Sequence, residues 1–151
     1  MHEKFMNEAL LLAKEAASEG EVPVGCVIVR DGEIIGRGRN RRETEKNALA
    51  HAEIEAINEA CRALGGWRLP RCTMYVTLEP CPMCAGAIVN SRIEEAVIAL
   101  SDPKSGALGS VINFNNYPLN HRVRLTYGVK ANEAREYMQR FFTALREKRS
   151  K

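Results

Sequence analysis

Cys72-Thr73-Met74-Tyr75-Val76-Thr77-Leu78-Glu79-Pro80-Cys81-Pro82-Met83-Cys84 reads as a strand that runs straight into a helix. Cys72 to Leu78 is rich in residues suited to a pleated, half-buried surface, and Pro80 stops it. Pro82 then stands in the first turn of a helix, where a missing N–H costs nothing. That helix is expected to run to about Ser91 and is small and apolar. Cys81 and Cys84, three apart at its start, share one face of the first turn. The pair reads as buried core, as a redox pair or as two metal ligands. His51-Ala52-Glu53, some thirty residues upstream, opens another helix and offers a third ligand. Three protein ligands and one open position form a catalytic zinc site, whereas structural zinc usually takes four. Residues two apart on a helix point about 200° apart, so His51 and Glu53 cannot both ligate from a helix flank. At a first turn, His51 can ligate an axial metal while Glu53 serves as acid/base beside it.

Outward from this stretch, residues 2 to 19 read as an amphipathic helix (Phe5, Met6, Ala9, Leu12, Ala13, Ala16) ended by Gly20. Val22 to Arg30 and Glu33 to Arg39 are strands, joined by Asp31-Gly32, a strong type I′ hairpin signal. Asn40 to Asn47 is a polar loop leading into a helix from about Ala48 to Leu64, closed by Gly65-Gly66. Glu95 to Leu100 is a strand, Ser101 to Gly109 a Gly-rich loop, and Val111 to Phe114 a short helical turn. Arg122 to Tyr127 is the last strand, Ala131 to Lys148 the closing helix, and Ser150-Lys151 is expected to fray. Strand–helix–strand alternation after the hairpin argues an α/β fold with a mostly parallel sheet, covered by helices on both faces. In such sheets sites lie beyond strand C-terminal ends, where Cys81 and Cys84 fall.

The 151 residues fit one domain, 1–151, and the 45% apolar and 27% charged content suits a soluble globular chain. Five cysteines without a secretory signal argue against a disulfide framework and for a reduced, cytoplasmic setting with no membrane span. Cys26, Cys61 and Cys72 read as core. The net charge of +3 announces no nucleic-acid partner by itself. Its distribution is more telling, because residues 131–151 carry six basic side chains against three acidic ones. Two further basic clusters are Arg37, Arg39, Arg41, Arg42 and the pair Arg68, Arg71. Three clusters near a candidate site raise the nucleic-acid reading beside that of solvated surface charge.

His51-Ala52-Glu53 followed by Pro80-Cys81-Pro82-Met83-Cys84 resembles the H-x-E…P-C-x-x-C signature of the zinc-dependent nucleoside and nucleobase deaminases. Within that superfamily of cytidine and deoxycytidylate deaminases, the resemblance is to the bacterial tRNA adenosine deaminases. It covers almost the whole chain: Glu21 to Gly25, Asn40 with Arg42-Glu43-Thr44, Trp67-Arg68-Leu69, Asp102 to Ser110 and Asn120 to Val123. It implies a three-layer α-β-α cytidine-deaminase-like fold around a central mixed sheet of about five strands. It implies one Zn2+ per chain, held by His51, Cys81 and Cys84, with water as fourth ligand. Glu53 would take the water proton, donate to N1 of adenine and then shuttle a proton to the leaving amine, so that the wobble adenosine of an arginine tRNA becomes inosine. The resemblance also makes Asn40 and the backbone N–H of Ala52 contacts to the flipped base. Asp102, Lys104 and Ser105 become its wall, and His121 a base or phosphate contact. The tRNA anticodon stem-loop is the implied partner.

Two other readings compete. One is a deaminase of a free base or nucleotide (guanine, cytosine or deoxycytidylate), which would share the zinc motif. The other is a binding module with a structural zinc, which needs a fourth strong ligand that no remaining cysteine or histidine supplies at suitable spacing. The family resemblance also implies a homodimer through apolar faces of the active-site helices, although the stripe Ala85, Ile88, Val89 reads equally as monomer core. Phe141 and Phe142 are expected to pack the final helix rather than stack on bases.

Overall fold

The structure is a computed structural model that describes residues 1–150; the fraying expected at Lys151 lies outside them. Five strands form one sheet in the order β2-β1-β3-β4-β5, with β1 at Gly25–Arg30, β2 at Glu33–Arg39, β3 at Cys72–Leu78, β4 at Glu95–Leu100 and β5 at Arg124–Tyr127. β1 pairs antiparallel with both β2 and β3, while β3, β4 and β5 run parallel. The sheet is therefore mixed, as the resemblance implied, and not mostly parallel: the hairpin contributes two antiparallel ladders. Its turn carries Asp31 at φ 51° and Gly32 at φ 80°, the positive pair a type I′ turn requires.

Alternation on the central strands divides the core. Cys26, Ile28, Met74, Val76, Ala96 and Ile98 face one helical layer. That layer is α3 (Ala52–Leu64) and α4 (Pro82–Ser91). Val27, Val29, Tyr75, Val97 and Ala99 face the other, formed by α1 (His2–Ser18) and α5 (Ala131–Arg149). The near-continuous apolar runs of β1, β3 and β4 match strands buried on both faces. Ala85 and Ile88 are fully buried and Val89 nearly so, which makes that stripe monomer core. Cys26 and Cys72 are buried as expected, and Cys61 half-buried.

Helix α3 lies unusually close to β2. A Cβ added to Gly38 would sit 2.0 Å from the Ala52 carbonyl oxygen, and one added to Gly36 2.3 Å from that of Ala56. Two missing side chains thus set the height of the helix whose first turn carries His51 and Glu53.

Several boundaries move because specific hydrogen bonds replace those of the expected element. β1 starts at Gly25 rather than Val22, because Pro23 has no N–H and Val24 N–H turns back to Val22 O. α3 starts at Ala52 rather than Ala48: the Asn47 side chain accepts Leu49 N–H and Ala50 N–H bonds Asn47 O, a turn in place of a helix. Part of the expected loop forms a short helix, α2 (Arg42–Glu45). The helical turn after the Gly-rich loop is a 3₁₀ turn at Phe114–Asn116, where Asn113 accepts Asn115 N–H. β5 starts at Arg124 because Asn115 takes both backbone groups of Val123 out of the ladder.

Candidate active site

At the C-terminal ends of β3 and β4 the chain leaves a cavity of about 550 Å³. Of the candidate metal ligands, His51 and Cys81 line it and Cys84 is buried behind them, each placed by a helix start. His51 is the N-cap of α3 and Cys81 the N-cap of α4, both in extended backbone, with Cys84 one turn into α4. His51 Nδ1 lies 3.8 Å from Cys81 Sγ and 3.6 Å from Cys84 Sγ. The three donor atoms fall within 4.8 Å of one another. Tetrahedral zinc, with Zn–S of about 2.3 Å and Zn–N of about 2.0–2.1 Å, requires ligand separations of about 3.6–3.8 Å. The donor set and its spacing fit that ion, and two helix N-termini pointing at it favour negative charge there.

The protonation pattern agrees with a charged thiolate site. The Cys81 thiol is held down to about 4, first by its hydrogen bond with Cys84 and, against burial, by His51. The same hydrogen bond, with burial, pushes Cys84 upward, and the bond to Cys81 raises His51. Glu53, on the first turn of α3, is 4% exposed. Burial pushes its carboxyl up to about 7, against the pull of its own backbone N–H and of His51. A carboxyl poised there can take up and release a proton near neutral pH.

Of the other residues expected at the site, the cavity gathers Asn40, Ala52, Asp102, Lys104 and Ser105. Asn40 is buried; its Nδ2 donates to Val22 O and its Oδ1 accepts Arg42 N–H, both at 3.3 Å, which fixes the amide plane. Ala52 is the first residue of α3, so its N–H has no partner within the helix. Asp102 turns its carboxylate onto Lys104 N–H, Ser105 N–H and the Ser105 hydroxyl, shaping the loop at the rim.

His121 is not brought to this cavity. Its Nε2 lies 2.6 Å from Ile93 O, just before β4, while the cavity adjoins the other end of that strand at Leu100. Arg68 and Arg71 also belong to that far end: Arg68 stacks on Trp67, and Arg71 pairs with Asp31. Of the three basic clusters, the first alone sends a basic side chain to the cavity wall among the described residues; the closing helix reaches it with Met138 and Phe142. In the first, Arg39 pairs with Glu15 and Glu19 and Arg41 with Glu55, leaving Arg42 on the wall.

Three wall features were not read from the sequence. Met138 and Phe142 of α5 close one side, delivered by the helix crossing the sheet, which no local pattern signals. Both rims are held from inside by a buried carboxylate. Glu21, 1% exposed, accepts Glu43 N–H, Thr44 N–H and the Thr44 hydroxyl. Against the upward push of burial, the bonds from Thr44 and Glu43 keep its carboxyl below its ordinary value. Glu79, 2% exposed, accepts donors from the loop after β4.

Comparison with known proteins agrees with this geometry. A family model described as MafB19-like deaminase matches residues 1–146. The tRNA-specific adenosine deaminase of Bacillus subtilis (strain 168) is 49% identical over 148 residues, covering 97% of this chain and 92% of that protein. A solved structure described as a study of A-to-I editing by tRNA:A34 deaminases at the wobble position of transfer RNA matches with a TM-score of 0.86 at 43% identity. It covers 89% of this chain and 98% of that one. The X-ray structure of a guanine deaminase from Bacillus subtilis matches with a TM-score of 0.65 at 35% identity, over 80% of this chain and 87% of that one. The three-layer α-β-α sheet is thus the cytidine-deaminase-like fold, and the chain belongs to the tRNA-specific adenosine deaminase family.

Proposed function

We propose that this chain, as a single deaminase domain over residues 1–151, converts the wobble adenosine of an arginine tRNA to inosine by zinc-dependent hydrolysis. The observation that carries the reading is a buried Glu53 carboxyl beside a His51, Cys81, Cys84 donor set, at the floor of a cavity walled by Asn40, Arg42 and Lys104. His51, Cys81 and Cys84 would hold one Zn2+, which supplies the Lewis acidity that makes water ionisable near pH 7. Glu53 accepts a proton from water and delivers it to N1 of adenine. Once the water oxygen has bonded to C6, Glu53 takes the remaining proton from that C6 hydroxyl and hands it to the exocyclic amine. The bond from C6 to the exocyclic nitrogen then breaks, the C6 hydroxyl becomes a carbonyl, and inosine and ammonia result. Asn40 and the Ala52 N–H orient the base, while Asp102, Lys104 and Ser105 wall the nucleotide. The reading does not rest on His121.

Arg42 and Lys104 on the cavity wall suit phosphates on either side of a nucleotide turned out of the anticodon loop. Phe142, 39% exposed and edge-to-face with Phe141, offers a ring to a neighbouring base. Replacing it with alanine is expected to weaken binding of an anticodon stem-loop about fivefold or more, as loss of one base stack does. Thermal stability should stay unchanged; a lowered melting temperature with unchanged RNA affinity would return Phe142 to a packing role.

A homodimer in the cytoplasm is part of the proposal. Val111, Ile112, Tyr117 and Leu119 are exposed apolar side chains that support a second copy. No helix among the described residues is long and apolar enough to cross a membrane. The decisive assay offers the protein an arginine-tRNA anticodon stem-loop and, separately, adenosine, cytidine, deoxycytidylate and guanine. Inosine from the stem-loop alone is expected. Ammonia from a free base would instead favour the second reading, to which the 35% identity with a guanine deaminase lends weight.

A further inference from the structure

Glu79 is buried for a purpose that the proposed chemistry leaves unused. Its carboxylate meets N–H and O–H donors from the loop after β4, and the Tyr127 phenol of β5 stands close enough for Glu79 to raise its pKa, behind the larger effect of burial. Oε1 accepts Asp102 N–H at 3.0 Å and the Ser110 hydroxyl; Oε2 accepts Leu108 N–H at 3.0 Å and Ser110 N–H at 3.1 Å. The backbone adds two links, Glu79 N–H to Leu100 O at 2.8 Å and Ala107 N–H to Pro80 O at 2.9 Å. The fit is tight enough to require glycine at 106, where a Cβ would stand 2.3–2.5 Å from the carboxylate atoms. Burying a carboxylate is tolerable only when its oxygens are hydrogen-bonded, and here both are doubly satisfied. The loop so gripped carries Asp102, Lys104 and Ser105 to the cavity wall, and Glu79 stands two residues before Cys81.

We propose that Glu79 is a positioning residue that fixes the substrate wall relative to the turn bearing Cys81, acting through the 102–110 loop rather than by touching substrate. Its kinetic consequence rests on the deaminase reading, whereas the clasp itself does not. Glutamine at this position keeps the size but replaces one acceptor oxygen with an amino group that must face at least one backbone N–H in either orientation. A slackened loop weakens substrate binding before it alters proton transfer by Glu53.

The experiment is Glu79→Gln, measured for zinc content, steady-state kinetics on an anticodon stem-loop and amide hydrogen exchange. KM is expected to rise about tenfold or more, the scale of lost hydrogen bonds to a charged group, with kcat changed by less than about threefold and zinc content unchanged. The amides of Asp102, Leu108 and Ser110 should exchange about tenfold faster or more while those of β3 keep their protection. Ser110→Ala, removing one hydroxyl donor, should shift KM in the same direction by less. Val29→Ala, in the core on the opposite face of the sheet, supplies a destabilised control whose KM stays at the wild-type value. A Glu79→Gln KM within about twofold of wild type, a fall in kcat alone, or unchanged exchange at the three amides would overturn the proposal. Should the wild-type protein make no inosine from the stem-loop, the functional reading fails and the exchange measurement still decides the clasp.

Discussion

Glu53→Gln is expected to abolish inosine formation, lowering turnover about 10³- to 10⁴-fold, the upper part of what a positioned acid/base group contributes. The substitution keeps the volume of a side chain that is 4% exposed and removes only its capacity to carry a proton. Burial raises the Glu53 carboxyl to about 7, whereas a divalent cation at His51, Cys81 and Cys84 would favour the ionised form. Those two influences pull in opposite directions, which suits a group that must accept a proton and then release it. Zinc content and stem-loop affinity should be preserved, because Glu53 is not among the three clustered donor residues. Retained turnover would remove Glu53 from the proposed mechanism, and loss of zinc would make it a ligand.

Gly38→Ala should be among the most damaging single methyl groups the chain could gain, and it bears on the helix carrying His51 and Glu53. Its Cβ would stand 2.0 Å from the Ala52 carbonyl oxygen and 2.8 Å from Ala56 N, both backbone atoms that cannot rotate away. Relief requires α3 to lift from β2, and α3 carries His51 at its N-cap and Glu53 in its first turn. Overpacking of this kind costs about 3 kcal/mol, equivalent to about 6–12 °C in melting temperature for a chain of this size. Zinc affinity and turnover should fall with it, because the ligand at the helix start moves while Cys81 and Cys84 stay. Calorimetry with metal analysis checks both halves, and a variant that melts normally and binds zinc normally would show the contact to be soft.

What was legible in the sequence was what is local. β2, β3 and β4 begin and end where alternation and turn residues place them, and Pro82 marks the start of α4. Cys81 and Cys84 are three apart on one turn, so their meeting needs no knowledge of the fold. Their meeting with His51 does, and so does the role of Asn40, which rested on family resemblance alone. The missed boundaries turn on particular hydrogen bonds that periodicity does not show. Those at Val24 and Asn47 are local, and Asn115 strips Val123 from β5 across eight residues. From farther along the chain, Glu21 gathers the N–H groups at α2. Met138 and Phe142 reach the cavity because α5 crosses over the sheet. The placement of His121 turns on which end of β4 it adjoins. Sequence order gives no sign of that, since the chain passes from one end of the sheet to the other between Leu100 and Arg124.

The antiparallel hairpin gives the molecule an unused pole. Asn40 follows one end of β2, and Asp31-Gly32 precedes the other, seven residues away. At about 3.3 Å per residue that is roughly 23 Å of strand. Gly32 is exposed, and a Cβ there meets nothing within 4 Å. A fluorophore, a surface tether or a fused domain joined at this turn would therefore project away from the mouth where RNA must enter, leaving handling and chemistry at opposite ends of the same sheet.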